Sequence, residues 1–399
     1  MLGDCPDGAR RRIESLAGIR VTHLLRFDRL LFRVGKGMPR PAIVDSMANA
    51  NLDVPEFPFS LPKASHGELP TMLTIEHASD VPEDFLIDDP EGGAFYRAYG
   101  RARVPGFELG CFIVKREGRT VTTAPFFIMK LSLSTMMSPG ILKKLLGNIA
   151  LKIVFVGHPS ADIGHIQGEQ SAEVLELINS ELRKLAPLVS YKGFDGSLPV
   201  KKFNKVIGLP VPVLDVPPDY WARLKHKVRT DLKRKLKVSA GLRLLETDGL
   251  PDEHLQRVHE LYRQTCDNAD IQFEQLNAEY FRESASLSKY IFYFEGDLMV
   301  GFHQLLCSEK IMYCKYIGMD YTRSRQYKLY FALMLEAINI CIRDGIRQID
   351  FGVTSYAFKR HVGSDLHQTF NYFQHRNACA NAILKRISFL LEPGESELR

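Results

Sequence analysis

Apolar residues in the first half of the chain alternate in short runs, and the runs are separated by turn residues. "TMLTIEHA" (71–78) has the alternation of a strand. "GGAFYRAYG" (92–100) has helical spacing, and Gly100 is placed to close it. "GFELGCFIVKREGRTVTTAPFFIMKL" reads as two β-rich runs around "REGR", a hairpin bent at Gly118. A buried strand "KIVFVG" (152–157) follows. After a polar loop come an amphipathic helix over 171–186 and a strand "LVSYKGF" (188–194).

The same order returns downstream. "GLPVPVLDVPP" (208–218) is rich in proline and reads as a junction. The pattern then predicts a helix over 219–238, a strand at 241–247 and helices near 251–268 and 277–287. A hairpin "KYIFYFEGDLMVGFHQLLC" turns at Glu295-Gly296-Asp297. Next come a strand over 310–320, a helix over 325–345 and a strand "IRQIDFG". Each half thus places a hairpin ahead of a strand–helix–strand unit, which joins antiparallel strands to a parallel pair with a helical crossover. The expected fold is α/β: two tandem lobes, each a mixed, mostly antiparallel sheet flanked by helices. The boundary is expected near 217, with lobes 1–217 and 218–399. The first 65 or so residues read as a helical and then proline-rich extension of the N-terminal lobe.

Composition fits a soluble globular protein, 45% hydrophobic and 25% charged. No apolar run reaches the ~20 residues of a membrane span. The stretch 132–157 comes closest, but Pro139, Lys143, Lys144 and Lys152 interrupt it; the overlapping Met-rich stretch 128–146 reads as core or as an adaptable apolar pocket. The N-terminus has no secretory pattern, and seven scattered cysteines lack a C-x-x-C pair. Together these point to a cytoplasmic protein with reduced thiols, Cys307 and Cys314 among them as buried, inert groups. Net charge is only +5, but eight Lys/Arg fall between 223 and 237 against one acid, Asp231. Such a helix projects a local positive potential that suits a phosphate-bearing partner, or simply covers its surface with basic stems. The loop 157–169 carries His158, Asp162, His165 and Glu169 without the spacing of a metal site, and fits an acceptor pocket between lobes better. No metal is expected.

"RQIDFGVTSYAFKRHVG" (347–363) ends a strand in Asp350-Phe351-Gly352 and places Lys359-Arg360-His361 just beyond. A protein-kinase reading of Asp-Phe-Gly fails, because the Gly-rich loop, the strand lysine and the H-R-D loop are all missing. Instead, three stretches between about 222 and 365 resemble the GNAT acyltransferase fold, in the form found in FemAB-like transferases. They are the basic helix "KHKVRTDLKRKLK", the run from "LMVGFHQLLC" through "YFALMLEAI", and "IDFGVTSYAFKRHVG". The resemblance implies an N-acyltransferase that moves an acyl group from an acyl-CoA thioester to an amine on a small molecule or peptide. Aminoacyl-tRNA is the alternative donor, and a non-catalytic scaffold the alternative class.

The resemblance makes Lys359 the residue that stabilises the oxyanion formed when an amine attacks the acyl carbonyl. Asp350, at a strand end, reads either as general base or as a turn-capping carboxylate. His303 reads either as a proton relay or as a satisfied core histidine. The donor is expected along Tyr316 and the turn that follows, with Arg323, Arg325, Gln326 and Lys328 near its phosphates. Strand alternation would put Tyr313 and Lys315 on one face and Tyr316 on the other. The turn "TRSRQYKLY" departs from the family, whose pyrophosphate turn contains glycine.

Overall fold

The computed structural model describes residues 72–132, 150–268, 274–393 and 398. The expectations for the N-terminal extension and for most of the Met-rich stretch lie outside these residues.

Two mixed sheets form, each flanked by helices. The N-terminal sheet contains β1 (Leu73–Ala78), β2 (Phe107–Arg116), β3 (Arg119–Ser132), β4 (Ala150–Val156), the short β5 (Gln167–Gly168), β6 (Leu188–Phe194) and β7 (Asn204–Ile207). Helix α1 (Gly93–Ala102) lies between β1 and β2, and α2 (Ala172–Leu185) crosses from β4 to β6. The β2–β3 hairpin turns at Glu117 and Gly118, both with positive φ, the backbone a tight two-residue turn requires. Strands β4 and β6 pair in parallel. Helix α2 packs Val174, Leu175, Ile178 and Leu182 on the sheet beneath it.

The C-terminal half repeats this plan. Strand β8 (Val211–Asp215) precedes α3 (His226–Val238), β9 (Arg243–Asp248), α4 (Asp252–Asp267) and α5 (Ala278–Glu283). Then come β10 (Ser288–Glu295), β11 (Leu298–Cys307), β12 (Ile311–Met319), α6 (Tyr321–Tyr327), α7 (Leu329–Asp344), β13 (Gln348–Asp350) and α8 (Tyr356–Val362). The chain finishes with β14 (Asp365–His367), β15 (Phe370–His375) and α9 (Ala378–Ile387). Strands β12 and β13 are the parallel pair of this sheet.

Several elements differ from the sequence expectation. The helix expected over 219–238 breaks at Leu224–Lys225, where the backbone turns extended. Of the apolar residues that recur every four positions along it, Tyr220 and Leu232 are buried, while Leu224, Val228 and Leu236 are half-buried. Helix α1 runs through Gly100 and stops at Arg103, which takes the left-handed conformation itself. The helix expected over 325–345 is two helices that meet at Lys328.

The halves also exchange strands. β8 lies N-terminal to 217 yet inserts between β13 and β14 of the C-terminal sheet, and β15 inserts between β6 and β7 of the N-terminal one. The division of the sheets therefore does not follow a single cut at 217/218. A shared core reinforces the exchange. Phe95 and Tyr99 of α1 pack with Leu261, Tyr262, Tyr280 and Phe281 of α4 and α5.

Candidate active site

The parallel pair β12–β13 is bonded only from Ile311–Tyr313 to Gln348–Asp350. Beyond Tyr313 and Asp350 the strands part. Opposite that opening β12 carries a bulge, since Gln304 faces Tyr316 while Leu305 faces Cys314, leaving Lys315 as the extra residue. The bulge breaks the alternation, so Tyr313 and Tyr316 pack on the same core, contrary to the simple period of two.

Gly352, with φ near +72°, stands in the opening. Its N–H donates to Asp350 Oδ1 at 2.8 Å, and its carbonyl accepts from Lys359 Nζ at 2.5 Å. Lys359 is only 1% exposed, a position rarely given to lysine. It is held there by α8, whose Tyr356 hydroxyl donates to Pro210 O at the entry to β8. Burial drives the Lys359 ammonium down to about 8. Burial likewise raises the Asp350 carboxyl to about 7, and the nearby Asp162 carboxylate adds to the shift. Asp350 therefore caps the Gly352 turn and is also a perturbed acid. The hydrogen bond to Gly352 N is that of a turn-capping carboxylate.

His303 lies within electrostatic reach of Lys359 on the helix-α7 side of the sheet. Its Nδ1–H donates to Leu333 O at 3.3 Å, while Nε2 has no partner among the described residues. Burial lowers it to about 4, so it is neutral at physiological pH.

The other wall of the opening comes from the N-terminal lobe. Lys315 Nζ pairs with Glu91 from the turn before α1 and donates to Ser160 O. The two side chains are 7% and 4% exposed. Burial opposes the Lys315 charge, but Glu91, Asp162 and Glu274 together outweigh it and the net shift is upward. Tyr313 donates to Asp89 at 3.4 Å. Tyr99 and Tyr316 both donate to Glu274, at 2.5 Å each, and burial raises that carboxyl. Tyr316 thus bonds within its own lobe, to a carboxylate that Tyr99 of the N-terminal lobe also engages. His158 is enclosed by Phe95, Tyr96 and Tyr99, and its Nδ1 accepts from Ser160 N at 3.1 Å.

The expected phosphate turn is built differently from a glycine-containing one. Asp320 caps α6, accepting from Thr322 N at 3.0 Å. Arg323 is shared between Glu295 and Asp320. Arg325 and Gln326 are exposed on α6. Lys328 joins the two helices in the left-handed conformation, φ 54° and ψ 39°, a backbone that glycine adopts with less strain. No side chain caps α7. The basic helix α3 lies beside this junction: Lys235 Nζ sits 4.4 Å from the Phe331 ring centroid and pairs with Asp231.

The structure therefore brings Lys359 and Asp350 together, puts His303 behind them, and leaves Arg325 and Gln326 exposed on α6 and Lys328 at the α6–α7 junction. Sequence reasoning missed Glu91 and Glu274 altogether and weighed Asp162 only within a loop. Glu91 and Lys315 are 224 positions apart, and no local pattern joins them.

Residues 226–360 match the family model described as an acetyltransferase (GNAT) domain. No curated protein matches the chain. Among solved structures, FemX aligns at 10% identity over 72% of this chain and 93% of its own, with a TM-score of 0.46. The C-terminal domain of a putative lysylphosphatidylglycerol synthetase from Agrobacterium fabrum aligns at 12% identity, covering 67% and 85%, with a TM-score of 0.44. A tandem GNAT protein from the clavulanic acid biosynthesis pathway aligns at 10%, covering 77% and 99%, with a TM-score of 0.45. The stretch of the C-terminal lobe that holds the parted parallel strands and the buried Lys359 is thus the part of the chain that matches a GNAT domain.

Proposed function

We propose that the protein is a cytoplasmic N-acyltransferase that takes an acyl group from an acyl-CoA-type thioester and places it on a primary amine. The observation that carries this reading is the Lys359 ammonium, buried where β12 and β13 part. A cation held dry and immobile at that point offsets the negative charge that develops on the acyl oxygen as the amine attacks. With the donor carbonyl in the opening, the tetrahedral oxyanion faces Lys359 and the acceptor enters from the N-terminal lobe. Asp350 keeps Gly352 and the start of α8 in place. The donor's phosphates meet the uncapped start of α7 and the cations Arg325 and Lys328. Gln326 lies beside them on α6, and Tyr316 lines the donor strand.

Lys328 also favours a second reading. Where the family's phosphate turn has glycine, a lysine side chain stands, and the exposed cations of α3 lie next to it. That surface suits the longer phosphate track of an aminoacyl-tRNA.

One assay separates the donors. The protein is offered acetyl-CoA or bulk aminoacyl-tRNA with methylamine, across a salt series. The CoA reading expects thiol release that depends weakly on salt. Arg325→Glu or Lys328→Glu should weaken it, and Lys233→Glu with Lys237→Glu should not. Consumption of aminoacyl-tRNA only, with a steep salt slope that the α3 double variant flattens, replaces CoA by tRNA. Turnover of neither donor refutes acyl transfer.

A further inference from the structure

The loop between β4 and β5 is tied down against β6 of its own sheet. Gly164 N donates to Gly193 O at 3.0 Å, and Lys192 Nζ donates to Ala161 O at 3.0 Å, which lays the loop across the end of β6. The approach is close: a methyl on Gly193 would meet Asp162 O at 2.2 Å, and one on Gly164 would meet the Phe194 ring at 2.1 Å. The opening beside β4 and β6, counterpart of the one between β12 and β13, is thereby filled with chain. Pinned in this way, Asp162 points its side chain at the other lobe. A methyl on Gly352 would lie 3.3 Å from Asp162 Oδ2. Glycine at both 193 and 352 gives the loop room to pass.

We infer that Asp162 is a catalytic residue of the C-terminal site, the base that takes the proton from the acceptor's ammonium. This rests on the acyl-transfer reading and extends it to a site assembled from both lobes. Among the described residues, no hydrogen bond or ion pair engages the Asp162 carboxylate. The neighbouring carboxylates are committed elsewhere. Asp350 accepts from Gly352 N, Glu91 pairs with Lys315, and Glu274 accepts from Tyr99 and Tyr316. Asp162 is therefore the open acid beside Gly352 and Lys359.

The proton balance is complete without a further reactant. An ammonium R–NH3+ gives one proton to the Asp162 carboxylate and becomes a neutral amine. The amine forms the C–N bond, and the carbonyl pair moves to the oxygen facing Lys359. Collapse expels the thiolate (or the ribose alkoxide of a tRNA ester), which takes the second proton from nitrogen. Asp162 then releases its proton to solvent.

The charged and titratable groups around this point are Asp350, Lys359, Lys315, Cys314, Glu91 and Lys192. Because Asp162 helps raise Asp350, removing its charge lowers the Asp350 carboxyl.

The test uses the donor that the wild-type protein consumes and two nucleophiles, methylamine and hydroxylamine. Methylamine is almost wholly protonated at pH 7; hydroxylamine is largely neutral and needs no base. Asp162→Asn should lose roughly 100-fold or more in kcat/KM with methylamine, the usual scale of general-base loss. With hydroxylamine, after subtraction of the enzyme-free rate, it should lose far less, and Asp162→Glu should recover part of the methylamine rate. Asp162→Ala leaves no buried partner behind and repeats the test if the Asn variant folds poorly. Equal losses with both nucleophiles, or methylamine turnover within threefold of wild type, overturn the assignment while acyl transfer stands. A wild-type protein that consumes neither donor overturns both.

Discussion

Replacing Lys359 by Met should leave the fold as stable or more stable while removing most of the activity. The folded site lowers the lysine from 10.5 to about 8. At 1.36 kcal/mol per pH unit, keeping the ammonium charged at pH 7 costs the folded state about 3 kcal/mol. Methionine fills a similar space without that cost. It leaves the Gly352 carbonyl without its Nζ donor, a loss of about 1–3 kcal/mol for a buried acceptor. The net effect is between zero and about 2 kcal/mol of stabilisation. At about 2 °C per kcal/mol for a chain of this size, Tm rises by at most about 4 °C. The pH dependence gives a sharper reading. A lysine depressed in the folded state binds its proton more weakly there than in the unfolded chain. Between pH 8 and 10.5 the unfolded state thus holds more protons, and wild-type stability gains on that of the variant as pH rises. Urea melts of both proteins at pH 7 and above pH 10.5 should show their difference shifting by about 3 kcal/mol towards wild type, so that wild type becomes the more stable of the two at the higher pH. Turnover at pH 7 should meanwhile fall roughly 100- to 1000-fold, as for loss of an oxyanion donor. A variant that melts well below wild type, or turns over within threefold of it, would refute the reasoning.

Two further outcomes test the frame around the site. Lys315→Met alone strands the buried Glu91 carboxylate and should cost about 3–5 kcal/mol in urea melts, while pairing it with Glu91→Gln should restore most of that; additive losses would mean that the pair does not couple the lobes. Lys328→Gly relieves a left-handed lysine and should gain up to about 1 kcal/mol, less what glycine loses in chain entropy; a loss of more than about 1 kcal/mol would show that the lysine side chain anchors the junction.

The sequence alone determined the lobes' internal plan, because hairpins and amphipathic helices write their period into a few neighbouring residues. The Glu117-Gly118 turn, the α2 stripe and the strand ending in Asp350 were legible for that reason, and the α8 lysine followed from the motif around it. Breaks within helices were less legible. Leu224 and Lys328 leave helical geometry without proline or glycine, which local propensity does not announce. Strand exchange was invisible: Pro210 and Pro212 gave β8 the look of a linker, but at the start of a strand proline sacrifices little, and its neighbours can still pair with β13 and β14. The tertiary structure alone decided how the site is completed. Whether Glu91 meets Lys315, or Asp162 reaches Gly352, depends on how two lobes pack across a shared aromatic core, and such contacts between distant residues leave no period in the chain.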